Sequence, residues 1–326
     1  MHHRTKNIQD RPTLARILRA ALPGAELREA SELSDGFFNV AYRLRATDGR
    51  DVVVKVAPAP DVPVMSSERD LMHAEVAAMR MVAERDPGVP APRVIHFDPS
   101  GRVCSAPYVV MSVLPGISLA AAEATLTLAA GESVRREVGR LTRLINEITG
   151  PAFGYLAQPA LQGPTWADVF TTMMDGALAD AELMAVDLHV APDEVRALLR
   201  RDRDVLDEVG TPRLVHWDLW AGNVFVEDGA VTGLIDWERS LWGDPLLEVG
   251  FRTYAADAAF LEGYGRGDLT PTERRRALWY DVYLLVIAAQ EGAFRHYATT
   301  DIHDWATGLL PGQVAQLVRR DADRLG

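Results

Sequence analysis

Three polar residues bracket one short apolar hairpin, and their types suit chemistry on a phosphate. The segment Leu214-Val215-His216-Trp217-Asp218-Leu219-Trp220-Ala221-Gly222-Asn223 runs into an apolar stretch, and Asp228-Gly229 separates that stretch from Gly233-Leu234-Ile235-Asp236-Trp237. Asp-Gly between two apolar runs is a hairpin signal. Strands over 223–226 and 231–235 are therefore expected to fold back on each other. Asn223 at the start of the first and Asp236 just after the second can then come close. An amide oxygen and a carboxylate are hard donors that suit Mg²⁺, a cation that keeps several waters and bridges phosphates. Asp218 lies in the loop before the first strand, placed to accept a proton from a hydroxyl. A fourth residue stands far away in sequence. Val52-Val53-Val54-Lys55-Val56 reads as a strand that is apolar on both faces, where a lysine is costly unless it is paired.

These residues need elements to hold them. Alternation over 38–44, the Asp48-Gly49 turn and the run 51–56 predict a hairpin. Apolar spacing predicts helices over 13–21 and 68–85, and a further strand pair is expected around 93–98 and 107–113. Leu114-Pro115-Gly116 interrupts the pattern. Beyond it the chain reads as helical over 132–148, 166–187, 192–209, 245–259 and 271–297, broken by the Asp228-Gly229 hairpin. The expected class is α+β. The expected division is a β-rich lobe over 1–111, a hinge at 112–116 and a helical lobe over 117–326.

Composition bounds the rest. Among 326 residues, 48% are hydrophobic and 25% charged, which excludes a disordered chain or a coiled-coil rod. No apolar run approaches the ~20 residues of a membrane span. The run from Val282 to Ala289 reads as buried helix. The opening MHHRTKNIQD has no apolar core of a secretory signal, so the cytoplasm is the expected compartment. Cys104 is the single cysteine, so neither an intrachain disulfide nor a cysteine metal site is expected. Net charge is −12, and the imbalance is uneven: residues 112–326 carry 19 basic and 32 acidic side chains, residues 1–111 carry 15 and 14. This argues against a nucleic-acid partner and favours a cationic small molecule.

The order of these motifs resembles a known family. His216-x-Asp218-x-x-x-x-Asn223 followed by Ile235-Asp236 is similar to the catalytic loop and metal-binding aspartate of the aminoglycoside phosphotransferases. Their relatives include choline, fructosamine, homoserine and macrolide kinases. The resemblance implies a bilobal protein-kinase-like fold, with a small β-rich N-terminal lobe and a larger, mainly helical C-terminal lobe. It implies Lys55 on the nucleotide phosphates, with Glu75 as its ion-pair partner and Glu68 as the competitor for that role. Ser34-Asp35-Gly36-Phe37-Phe38-Asn39 resembles the nucleotide-covering turn, so Gly36, Phe37 and Asn39 are expected at the nucleotide. Tyr108-Val109-Val110-Met111-Ser112-Val113-Leu114-Pro115-Gly116 resembles the interlobe hinge, with the backbone of Ser112 and Leu114 on the adenine edge. Gly243-Asp244-Pro245 after the metal aspartate belongs to the same pattern.

The implied reaction moves the γ-phosphoryl group of ATP or GTP, with Mg²⁺ on Asn223 and Asp236, to a hydroxyl that Asp218 deprotonates. The implied acceptor is an aminoglycoside or a similar cationic amino-sugar compound, and Glu238, Asp257, Asp281 and Glu291 are the candidate carboxylates for it. Where the common small-molecule form has glycine, this chain has Trp217. The family histidine supports the loop, so His216 is expected to be structural. Trp166, Trp220, Trp237 and Trp242 are expected to be packing residues. A kinase of another small metabolite, a nucleotide-binding pseudokinase, a metal-dependent hydrolase and a protein kinase are the competing readings.

Overall fold

The computed structural model describes residues 5–33 and 38–319. In chain order the elements are α1 (Arg11–Ala21), β1 (Leu27–Leu33), β2 (Val40–Ala46), β3 (Asp51–Val56), α2 (Leu71–Arg85), β4 (Val94–Asp98), β5 (Tyr108–Ser112), β6 (Ile117–Ser118), α3 (Leu119–Ala122) and α4 (Leu128–Glu147). There follow β7 (Gly154–Tyr155), α5 (Trp166–Leu183), α6 (Pro192–Arg201), α7 (Arg203–Asp207), β8 (Arg213–Val215), β9 (Val224–Glu227), β10 (Ala230–Leu234), β11 (Leu241–Gly243), α8 (Ala258–Tyr264), α9 (Pro271–Arg295) and α10 (Asp301–Val318). The class is α+β as expected, with sheet in the N-terminal part and helices in the C-terminal part. Among the described residues, no helix is long and apolar enough to cross a membrane.

The chain forms two compact units by its internal contacts. The first takes the described residues up to Pro63, then Asp70–Val134 and Asp218–Ser240. Its main sheet is antiparallel in the order β1-β2-β3-β5-β4. Val40, Tyr42 and Leu44 of β2 and Val52, Val54 and Val56 of β3 point to one side, where Leu14, Ile17 and Leu18 of α1 close the core. Successive strand residues face opposite ways, so Lys55 points to the other side of the sheet. A smaller sheet in the order β10-β9-β6 completes this unit. Asp228 and Gly229 both have positive φ, as the tight turn between β9 and β10 requires. Gly116, at φ +86°, lies so close to the Val226 carbonyl that no β-carbon would fit there. That approach lets β6 pair with β9. The contacts of this unit consequently run to Val134, past the boundary expected at 112–116, and take in residues 218–240.

The second unit takes Val64–Arg69, Arg135–Trp217 and the described residues from Leu241. Its centre is α9, which opens with Pro271 and a reciprocal Thr270–Glu273 cap. The Val282–Ala289 run lies within α9 and, apart from Leu284, is buried. Trp166, Tyr280, Asp244 and Arg276 form one hydrogen-bonded chain through this core: Trp166 Nε1 donates to Tyr280 Oη at 2.8 Å, and Tyr280 and Arg276 each donate to Asp244 Oδ2 at 2.8 Å.

Two helical expectations need correction, and one helix was not expected. The helix expected over 192–209 is broken at Asp202, whose carboxylate accepts from Arg275 and Trp279. The helix expected over 245–259 does not form. Asp244 caps a short turn at Pro245–Leu247, Glu248 is extended, and a second turn follows at Val249–Phe251 before α8 begins at its Asp257 cap. Helix α10, with Pro311 inside it, lies outside the expected helices.

Candidate active site

Lys55 is buried at the centre of three carboxylates within the first unit, of which Glu75 and Glu238 are buried and Asp236 is half-exposed. Its ammonium lies 2.6 Å from Asp236 Oδ1, 2.8 Å from Glu75 Oε1 and 3.4 Å from Glu238 Oε2. Strand β3 supplies the lysine, α2 supplies Glu75, and the turn after β10 supplies the other two. Burial pulls the ammonium down, but Asp236, Glu75 and Glu238 outweigh it and hold Lys55 well above its ordinary value. Burial pushes the Glu75 carboxyl up to about 7 against the pull of Lys55, and the charges of Glu238 and Asp236 add to the rise. Glu75 Oε2 is buried without a hydrogen-bond partner, which fits a carboxyl that readily takes a proton.

Local conformation aims these groups. Asp236 has φ +61°, a left-handed conformation that costs an L-residue on the order of 1–2 kcal/mol. It is followed by Trp237, whose buried indole donates to the Leu234 carbonyl at 2.8 Å and anchors the turn. Glu238 then points back to Lys55 and accepts from the Asn39 side chain. Sequence spacing left Glu68 and Glu75 both open as the lysine partner. Asp70, at φ +58°, ends that ambiguity, because α2 starts only at Leu71. Glu68 sits on a separate short turn in the second unit and pairs with buried Arg295.

The loop that carries Asp218 is fixed by its backbone. The amides of His216 and Trp217 donate to the two oxygens of Glu248 at 2.9 and 3.0 Å. Asn146 donates to the same carboxylate at 3.0 Å and to the Leu214 carbonyl at 2.8 Å. Burial raises the Glu248 carboxyl to about 7, against these hydrogen bonds. Sequence reasoning missed Glu248; the adjoining Gly243-Asp244-Pro245 motif was the only nearby signal. Trp217 has φ +68° and its buried ring stacks on Tyr283. Asn223 then closes the loop: its side-chain amide donates to the Asp218 carbonyl at 2.8 Å and to Asp218 Oδ2 at 3.3 Å.

The donor set fits Mg²⁺. The NH₂ of Asn223 is turned to Asp218, so its amide oxygen is the atom a cation would use. The Ile235 amide donates to the Asn223 carbonyl at 3.0 Å, which brings the next residue, Asp236, alongside. Two hard oxygens suit a cation that completes its shell with water and phosphate. Among the described residues there is no group of three or more His, Cys, Asp or Glu side chains that could hold a metal.

The model of the phosphotransferase enzyme family (APH) matches residues 29–279, most of the chain. The chain belongs to this family. Solved structures share its fold. A candidate fructosamine-3-kinase of Thermobifida fusca aligns with TM-score 0.64 at 17% identity, over 94% of this chain and 99% of that one. A thermostable mutant of aminoglycoside phosphotransferase APH(4)-Ia, in ternary complex with AMP-PNP and hygromycin B, aligns with TM-score 0.62 at 20% identity, over 93% and 98%. The streptomycin–ATP–APH(2″)-IIa ternary complex aligns with TM-score 0.58 at 16% identity, over 97% and 98%. At these identities the likeness is one of fold, and the fold is kinase-like. No curated protein sequence matches the chain.

Within this phosphotransferase-family chain the other expected site residues divide. Gly36 and Phe37 lie outside the described residues. Asn39 is buried against Glu238. Ser112 ends β5, donates its amide to the Arg93 carbonyl at 3.0 Å and accepts the Arg93 amide on its hydroxyl at 2.9 Å. The Leu114 side chain lies over Gly233, where a β-carbon would collide with it. The four carboxylates expected for a cation are tied to the protein itself. Glu238 belongs to the Lys55 cluster. Asp257 caps α8 through the Phe260 amide at 3.0 Å. Asp281 is 1% exposed, is raised by burial and accepts the Thr253 amide at 2.9 Å, so it has no surface to offer a ligand. Glu291 is buried, 3.4 Å from Arg295 and 3.4 Å from the Tyr297 hydroxyl. Of the four tryptophans expected to pack, Trp220 is the exception, exposed with its ring laid over Gly222.

Proposed function

We propose that this family member is a small-molecule kinase that transfers the γ-phosphoryl group of ATP, or GTP, to a hydroxyl of an aminoglycoside or similar cationic amino-sugar compound. The observation that carries the reading is the convergence of Lys55, Glu75 and Asp236 from three separate elements of one unit, with Asn223 and Asp218 joined beside Asp236. Residues 1–111 would serve the nucleotide, with the backbone of Ser112 and Leu114 in the 112–116 hinge on the adenine edge, and residues 117–326 the acceptor.

Lys55 binds the nucleotide phosphates, and Glu75 holds the lysine in place. Asn223 and Asp236 are the residues that would hold Mg²⁺, which when bound neutralises charge on the phosphate oxygens. Asp218 accepts a hydrogen bond from the acceptor hydroxyl and orients its oxygen toward the γ-phosphorus. As the new O–P bond forms, the bond from the γ-phosphorus to the bridging oxygen breaks. The hydroxyl proton passes to the Asp218 carboxylate and the nucleoside diphosphate leaves. Most of the rate gain in such a transfer comes from positioning and electrostatics. The intact set of Lys55, Asp218, Asn223 and Asp236 favours this over a pseudokinase.

The cationic acceptor is supported by the acidic balance of residues 112–326, with 19 basic and 32 acidic side chains. A coupled assay of ADP release with Mg-ATP and a panel of aminoglycosides, amino sugars and glycated amines tests the reading. Acceptor-dependent ADP release with a cationic amino sugar is the expected result. Release with neutral or glycated acceptors alone would move the enzyme to another small-metabolite kinase class, and none with any acceptor would contradict the proposal.

A further inference from the structure

We propose that Trp217 is a positioning residue: its indole, stacked on Tyr283, holds the backbone that carries Asp218 in one conformation. The inference rests on reading Asp218 as the group that receives the acceptor proton.

Trp217 has φ +68°. Glycine adopts this conformation freely, whereas a side-chain-bearing residue keeps it only where the surroundings over-determine it. Two restraints do so. The amides of His216 and Trp217 donate to the Glu248 carboxylate at 2.9 and 3.0 Å. The Trp217 ring is 3% exposed and lies 5.4 Å from the Tyr283 ring at an interplanar angle of 14°. Tyr283 is itself immobilised within α9. Its hydroxyl is hydrogen-bonded to that of Tyr155 on β7, and its ring meets Phe170 of α5 edge-on at 5.5 Å. The indole is therefore keyed to aromatic residues of three elements in the second unit. A glycine at 217 would have the same φ without strain, but the peptide into Asp218 would lose its side-chain anchor. The bulky ring acts on loop packing, since it is sealed from solvent.

The test uses the full chain with Trp217→Gly, Trp217→Phe, Tyr283→Leu and, as control, Asp218→Asn. Amide hydrogen exchange at residues 216–218 needs no acceptor. Trp217→Gly is expected to exchange there on the order of tenfold faster or more, with α9 unchanged. Trp217→Phe should stay near wild type, and millimolar indole, which fits the space left by the ring, should slow the exchange of Trp217→Gly again. With Mg-ATP and an acceptor from the panel, kcat of Trp217→Gly should fall by about ten- to a hundredfold while KM for ATP is unchanged, because a displacement of ~1 Å at a reacting group costs about that much. Indole should restore part of kcat. Tyr283→Leu, which keeps Trp217 but removes its partner, should show the same split and guards against a Trp217→Gly chain that fails to fold. Wild-type exchange in both Trp217→Gly and Tyr283→Leu, or faster exchange with unchanged kcat, would overturn the inference. Turnover retained by Asp218→Asn would instead overturn the functional reading beneath it.

Discussion

Ile235 donates its backbone N–H to the carbonyl of Asn223 at 3.0 Å. This bond closes the open end of the β9–β10 hairpin and brings Asp236 beside the residue that holds Asp218. Asn223→Ala removes one hard oxygen and the amide bonds to Asp218. The Mg²⁺ concentration for half-maximal ADP release should rise by about tenfold or more, the usual effect of losing one oxygen donor or its support. A Mg²⁺ titration of wild type and variant checks this; superimposable curves would remove Asn223 from the metal site.

Lys55 neutralises a cluster that is costly without it. Lys55→Met leaves Glu75 and Glu238 buried with no cation, and breaking a buried pair in this way destabilises a protein by about 3–5 kcal/mol. The double variant Lys55→Met/Glu75→Gln should recover much of that loss, since the buried charge is removed with its partner. Urea denaturation followed by fluorescence measures both. A stable single variant would mean that the cluster is not electrostatically closed.

Glu248 ties the Asp218 loop to stability through pH. Burial raises its folded carboxyl to about 7, well above the 4.5 of an ordinary glutamate. The native state therefore holds this proton more tightly than the unfolded chain. The stability it contributes is fully present below about 4.5 and is lost as pH rises through about 7. Glu248→Gln should be less stable than wild type at every pH, for want of an acceptor toward one backbone amide. The gap should narrow between pH 5 and pH 8, because only wild type then carries a buried charge. Denaturation at the two pH values checks the sign, and a gap that widens would contradict it.

Much of this was readable from residue order. A lysine inside Val52-Val53-Val54-Lys55-Val56 announces a buried charge with a partner, and Asp228-Gly229 announces the β9–β10 hairpin, whose open end joins Ile235 to Asn223. Both signals are local. The choice between Glu68 and Glu75 was not local, since it turned on a left-handed Asp70 that starts α2 one turn late. Glu238 reads in sequence as a carboxylate for a substrate, and only the turn at Asp236 aims it at Lys55. Glu248 was invisible for the same reason. Its role depends on two amides 31 and 32 residues earlier, and its extended backbone defeats the helix that apolar spacing suggests for 245–259.

The most direct measurement compares wild type with Asp218→Ala for nucleotide binding and phosphoryl transfer in parallel. Isothermal titration with Mg-AMP-PNP should give closely similar affinities, because the proposed mechanism assigns Asp218 to the acceptor hydroxyl and Lys55 to the phosphates. Transfer of ³²P from γ-labelled ATP to the acceptor found in the panel should fall by at least about a thousandfold, as expected when the proton-accepting group of a phosphoryl transfer is removed. Labelled product formed by Asp218→Ala at a rate close to that of wild type would contradict the account.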